Sequence, residues 1–150
     1  MRSAFKAIAC TGDWPVQSAK CEVRSAEFIM KHDNLKERTK NIALRIIQLV
    51  EALPKSKTAD VIGRQLLRSG TSVGANYRAA CRAKSPADFV HKMSIVEEEA
   101  DESIFWMELI IAAKLMSEQQ LKELKAETKE VLAITIASIR TVKRKNGPRE

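Results

Sequence analysis

At 150 residues the chain is long enough for one domain with a substantial core and too short for two. A charged fraction of 30% beside 45% hydrophobic is that of a soluble globular protein, and an aromatic share of 5% leaves the core to aliphatic residues and alanine, which favours helix over sheet. The formal charge of +7 favours polyanionic partners such as RNA or DNA, while no apolar run reaches the roughly 18 residues of a membrane span and the N-terminus lacks the apolar stretch of a secretory signal, so a cytoplasmic location is expected.

Residues 1–29 keep neither a helical nor a strand period, and Gly12, Asp13 and Pro15 interrupt them, so they read as a poorly ordered extension, with Met30 as a candidate natural start. The charge excess survives when they are set aside and belongs to the main body, 30–145, while 146–150 read as a basic tail. Cys10, Cys21 and Cys81 are odd in number and widely separated, which suggests free thiols rather than a zinc or redox pair.

A first helix is expected from Asn34, where "NLKE" has the form of a capping box, and Leu35, Ile42, Ala43, Ile46, Leu49, Val50 and Leu53 form its apolar stripe up to Pro54. Ser56 or Thr58 caps a second helix running to about Cys81 or Arg82. In "AKSP" Ser85 caps a third, with Pro86 in the first turn and Asp88 at the positive helix end. Its stripe is Phe89, Met93, Val96, Ala100, Met107, Ile111 and Leu115. "SEQQ" opens a fourth, carrying Leu121, Leu124, Val131, Leu132, Thr135, Ile139 and Val142. Short turns force consecutive helices to run antiparallel, so the expected fold is all-α, an up-down-up-down four-helix bundle.

The stretch "RSGTSVGANYRAA", 68–80, raises the question of a phosphate-binding glycine loop. Gly70 and Gly74 lack the Lys-Ser/Thr of a P-loop, no strand precedes them, and the GxG of a dinucleotide site is missing. Ile62, Leu66, Ser69, Val73, Tyr77 and Ala80 instead keep helical spacing through both glycines, with Gly63, Gly70 and Gly74 on a neighbouring face. Each interior glycine costs about 1 kcal/mol relative to alanine, and close approach of another helix backbone, within the bundle or between subunits, is the expected compensation.

The long core from "GRQLLRSGTSVGANYRAA" through "EEEADESIFW", within residues 54–110 and extending from about 35 to 143, resembles the four-helix-bundle proteins encoded by intervening sequences in bacterial 23S rRNA genes. The same family includes the accessory variability protein of diversity-generating retroelements. The resemblance implies a homopentameric barrel without established catalytic activity and, for the retroelement member, a basic surface that engages nucleic acid and a reverse transcriptase.

Arg64, Arg68, Arg78 and Arg82 share one stripe of the second helix, with Lys84 just beyond, and guanidinium forks match phosphate geometry. The alternative is ion pairing with Glu97, Glu98, Glu99, Asp101 and Glu102 of the third helix, where Arg68 is expected near Glu98 and Arg64 near Glu102. Arg78, Arg82 and Lys84, opposed only by Asp88, are the better nucleic-acid candidates. Lys143, Arg144 and Lys145, with Arg149, form a second basic cluster that also complements a helix C-terminus. No aromatic residue interleaves with these cations, so base stacking is not expected.

Asp88 and His91 have the spacing of half a di-iron motif but no second half, and neither a metal nor a cofactor is expected; His32 has no evident partner. No nucleophile elbow is present. Phe105 and Trp106 are expected to pack within the bundle or against another subunit. Two readings remain: a non-enzymatic homo-oligomer binding RNA or DNA without sequence readout, and a scaffold gripping another protein such as a reverse transcriptase.

Overall fold

The starts of the last three helices are written into the loops before them. The computed structural model describes the backbone of residues 22–146 and the side chains of 34–145. It contains α1 (Glu22–Glu51), α2 (Lys57–Ala80), α3 (Pro86–Ala112) and α4 (Glu118–Asn146), with no strand among the described residues. Ser56 Oγ accepts the Ala59 amide at 3.1 Å, which selects Ser56 over Thr58 as the cap of α2. Ser85 Oγ accepts the Asp88 amide at 3.0 Å, and Pro86 follows in the first turn of α3. At the start of α4, Gln120 Oε1 accepts from both the amide (2.9 Å) and the hydroxyl (2.8 Å) of Ser117. These bonds satisfy amides that a helix N-terminus leaves orphaned.

The start of α1 differs from the sequence expectation. The helix runs back through Asn34 and Met30 to Glu22, so Asn34 is an interior residue and not a cap. The segment from Glu22 to Asp33 contains neither glycine nor proline, and nothing in it breaks a helix once the stretch beyond Asn34 has nucleated one. Residues 1–21 and 147–150, including Cys10, Cys21 and Arg149, lie outside the described residues, as does the His32 side chain.

The C-terminus of α3 closes in a Schellman motif, with the Leu115 amide on the Ile110 carbonyl at 3.0 Å and the Lys114 amide on that of Ile111 at 2.9 Å. Lys114 occupies the left-handed position at φ 56°, where glycine is the usual occupant.

Consecutive helices pack on one another and α4 returns to α1, closing a four-helix bundle. The expected stripes line its axis: Leu35, Ile42, Ile46 and Leu49 from α1, Ile62, Leu66, Val73 and Tyr77 from α2, Phe89, Met93, Val96 and Met107 from α3, and Leu121, Leu124, Val131, Ile139 and Val142 from α4 are all buried. Thr128 and Thr135 are also fully buried, and each satisfies its hydroxyl on the carbonyl four residues earlier, at 2.8 Å. Across the α1/α4 edge the closure is ionic. Arg38 reaches Glu127 at 2.6 Å and Glu130 at 2.7 Å, and Arg45 approaches Glu123 at 3.8 Å.

The three glycines of α2 all face α1. A Cβ at Gly74 would stand 3.4 Å from the carbonyl oxygen of Thr39, so here backbone meets backbone. At Gly63 the occupants are side chains, Val50 Cγ1 at 3.1 Å and Leu53 Cδ1 at 3.2 Å from the position of an added Cβ, and at Gly70 the Ile46 side chain fills that position outright. Two of the glycines are therefore holes for α1 knobs and one is a true backbone contact.

Between α2 and α3 the seam is polar. Ser103 Oγ donates to Ser69 Oγ at 3.0 Å in the interior. Outward of it, Arg68 bridges Glu102 at 2.5 Å and Glu99 at 3.5 Å, and the Trp106 indole donates to Glu102 Oε1 at 2.9 Å. The indole bond, followed by the Arg68 contact, holds the Glu102 carboxyl below the ordinary carboxylate range. Glu99 goes the other way: burial raises its pKa against the opposing pull of Arg68, and its Oε2 is buried without a hydrogen-bond partner.

Two outcomes follow for stability. Gly70→Ala is expected to lower stability by about 1–2 kcal/mol through overpacking, and Ile46→Val in the same chain, which removes the obstructing methyl, to recover most of that loss; Gly74→Ala, whose Cβ finds ordinary contact distance, gains up to about 1 kcal/mol from helix propensity. Urea midpoints of the four chains check both. Because folding raises the Glu99 pKa, the fold is favoured by its protonation below the unfolded value and loses that contribution as pH rises through the folded one. Glu99→Gln should therefore raise the melting temperature at pH 7 and lose its advantage in acid.

Candidate nucleic-acid interface

The close approach at Gly74 leaves an open groove of about 580 Å³ between α1 and α2. Its floor is made of short side chains, Thr39 and Ala43 from α1 and Thr71, Gly74 and Ala75 from α2. Its walls carry cations: Lys36 and Lys40 on α1 and, on the α2 side, Arg78 in the last turn and Arg82 in the loop after it. Residues four apart on a helix rise about 6 Å, so Lys36 and Lys40 stand one above the other on their wall. Arg78 and Arg82 are exposed, and among the described residues neither they nor Lys36 has an ion-pair partner. Lys40 approaches Glu37, also a lining residue, at 3.5 Å with both side chains mostly exposed, a pairing worth little in water.

The arginine stripe of α2 divides in two. Arg68 is committed to the α3 seam near the expected level, but to Glu99 and Glu102 rather than Glu98. Arg64 does not reach Glu102 and instead pairs with Asp60 of its own helix at 2.8 Å. The acids of α3 available to α2 lie at Glu99 and Glu102, and the 6 Å step from Arg68 to Arg64 carries the latter past them. Arg78 and Arg82 remain free of acids. Lys84 is exposed too, but its amide donates to Asp88 Oδ2 at 2.9 Å.

Asp88 is held below the ordinary carboxylate range, first by the Lys92 ammonium at 2.6 Å and then by the Lys84 amide. That engagement removes it from any partnership with His91, which is exposed. Among the described residues no three His, Cys, Asp or Glu side chains gather as a ligand set.

Antiparallel topology sends the N-terminal half of α1, the C-terminal end of α2, the N-terminus of α3 and the C-terminal end of α4 to one pole of the bundle. Lys143 and Arg144 are exposed in the last turn of α4 and so share that pole with the groove, joined by the exposed Arg140; Lys145 is half-buried. The opposite pole mixes signs, as in Lys129 with Glu108 at 3.6 Å and Lys125 with Glu118 at 4.0 Å. Sequence reasoning missed Lys36, Lys40 and Arg140. Only the pairing of α1 with α2 at Gly74 shows that two lysines of one helix face two arginines of the next.

No aromatic side chain lines the groove, and Tyr77, the nearest in sequence, is buried. The arrangement can therefore hold an anion by charge and by guanidinium hydrogen bonds and does not offer a stacking platform. No helix of the described residues is long and apolar enough to cross a membrane.

No curated protein matches the sequence. A crystal structure at 1.70 Å of a protein of unknown function from the S23 ribosomal protein family of Bacteroides thetaiotaomicron VPI-5482 superposes with a TM-score of 0.67 at 35% identity, covering 71% of this chain and 98% of that one. The family model described as 23S rRNA-intervening sequence protein matches residues 32–137, from the middle of α1 to the middle of α4, and takes in the glycine face, the polar seam and the cation-lined groove alike. On that match the chain belongs to the 23S rRNA-intervening sequence protein family.

Proposed function

We propose that this protein is a non-catalytic, homo-oligomeric bundle that binds the sugar–phosphate backbone of RNA or DNA along its basic pole, without reading base identity. The observation that carries the reading is the groove over Gly74, where Arg78, Arg82 and Lys36 have no acidic partner among the described residues. Long cations above a floor of alanine, glycine and threonine leave room for a phosphate to enter between the walls, where several donors converge on it. Lys143 and Arg144 extend the field beyond the groove. The absence of a stacking side chain argues for charge-led binding. Assembly into the pentamer that the family resemblance implies repeats the groove in each subunit, and repeated weak contacts to one polyanion raise avidity. The names of the family and of the related structure both point to the setting of ribosomal RNA, which favours RNA as the ligand to test first.

The test combines charge and shape. Affinity for an RNA of arbitrary sequence should fall steeply with salt, with a slope of about 0.7–0.9 per phosphate neutralised, depending on strandedness. Arg78→Glu with Arg82→Glu should weaken binding at least about tenfold and flatten that slope. Ala75→Tyr fills the groove without changing charge and should weaken binding comparably. Salt-insensitive binding, or binding indifferent to the double reversal, would overturn the proposal, and light scattering of the same samples reports the assembly.

A further inference from the structure

On α3 the direction opposite the core is occupied by Phe105, 53% exposed. Helical spacing sets Glu98, Asp101 and Glu108 around it on the same outer face, all exposed. Among the described residues no cation pairs with Glu98 or Asp101, and Glu108 meets only Lys129 at 3.6 Å. On a chain of net charge +7 this is an acidic island with an aromatic centre.

A single exposed apolar side chain needs no explanation. Phe105 differs in how it is held. Its ring meets Trp106 edge to face, with centroids 4.9 Å apart at 69°. The Trp106 indole is fixed on Glu102 Oε1, and that oxygen also accepts from Arg68 of α2. A relay from the neighbouring helix thus sets the aromatic pair in place before any partner arrives, and a preorganised aromatic gives up little conformational freedom on binding. Half-buried Leu109, one turn on, continues the apolar strip.

We propose that this face of α3 docks a cationic segment of a partner protein, in which an apolar side chain packs on Phe105 and Trp106 while flanking lysines or arginines meet Glu98 and Asp101. Charge selects the occupant. The acids repel a polyanion, so this face is closed to the ligand of the basic pole, and an exposed aromatic that a partner would desolvate, ringed by charge, has the make-up of an interface hot spot. The inference does not rest on nucleic-acid binding.

The test uses the full chain carrying Trp14→Phe, which leaves Trp106 as the sole indole. The probe is a short amphipathic peptide of lysine and leucine, with its glutamate–leucine counterpart as control, followed by Trp106 emission and by calorimetry. The lysine peptide should bind and shift the emission, and the glutamate peptide should not. Phe105→Ala should weaken binding about tenfold or more, Glu98→Lys with Asp101→Lys should abolish it, and Arg78→Glu with Arg82→Glu should leave it unchanged. Binding that ignores Phe105→Ala, or no binding of the lysine peptide, overturns the proposal. So does sedimentation showing that Phe105→Ala breaks an oligomer apart, since a second copy then covers the face.

Discussion

The contact of α1 with α2 at Gly74 governs most of what the surface offers. Because a Cβ there would stand 3.4 Å from the Thr39 carbonyl oxygen, in ordinary van der Waals contact, the two backbones face each other with no larger side chain between them. Small floor residues and a cation-bearing wall on either side follow from that proximity. With the helices further apart, Lys36 and Lys40 would be ordinary solvent-facing lysines, and Arg78 and Arg82 would look across open water. A small residue in the right register there brings four cations of two helices to one groove, and the helix tolerates the conformational cost of its glycines because Ile46, Val50 and Leu53 fill the faces of the other two.

The second organising feature is the seam of α2 with α3. Arg68 serves two carboxylates there, yet they respond in opposite directions: Glu102, anchored by the indole, ionises more readily, and Glu99, more deeply set, resists ionisation. A bundle whose core is mainly isoleucine, leucine and valine packing gains directionality from such a seam, since a slipped register would strand the Ser69–Ser103 pair and the guanidinium together. The same network fixes the aromatic pair on the outer face, so a packing device on one side of α3 sets the geometry of its other side.

Most of the architecture was legible in the residues. The apolar stripes of all four helices, the Ser85 cap, the Ser117/Gln120 start and one of the two caps open to α2, Ser56, appear in the structure where spacing and capping chemistry put them, because each depends on residues within one or two turns. What escaped depends on register between helices. Asn34 has the chemistry of a cap and sits in mid-helix, since a good cap signal does not end a segment that lacks breakers upstream. Arg64 and Arg68 look equivalent in sequence, but one step along the axis decides that Arg68 meets α3 acids and Arg64 turns to Asp60. Lys36 and Lys40 carry no local mark of significance, and Phe105, expected to pack within the bundle or against another subunit, lies outside the single chain's core because helical spacing sets it opposite the buried Met93, Val96, Ala100 and Met107.

The uneven placement of cations along the bundle has a kinetic consequence. A rod with its excess positive charge gathered at one tip carries a permanent electric dipole, so in the field of a distant polyanion it experiences a torque as well as a pull. A rod so charged would meet such a field tip first, already aligned, with fewer encounters lost to wrong orientations. Screening ions shorten the range of that torque to roughly 8 Å in physiological salt, so the alignment acts within the last nanometre of approach.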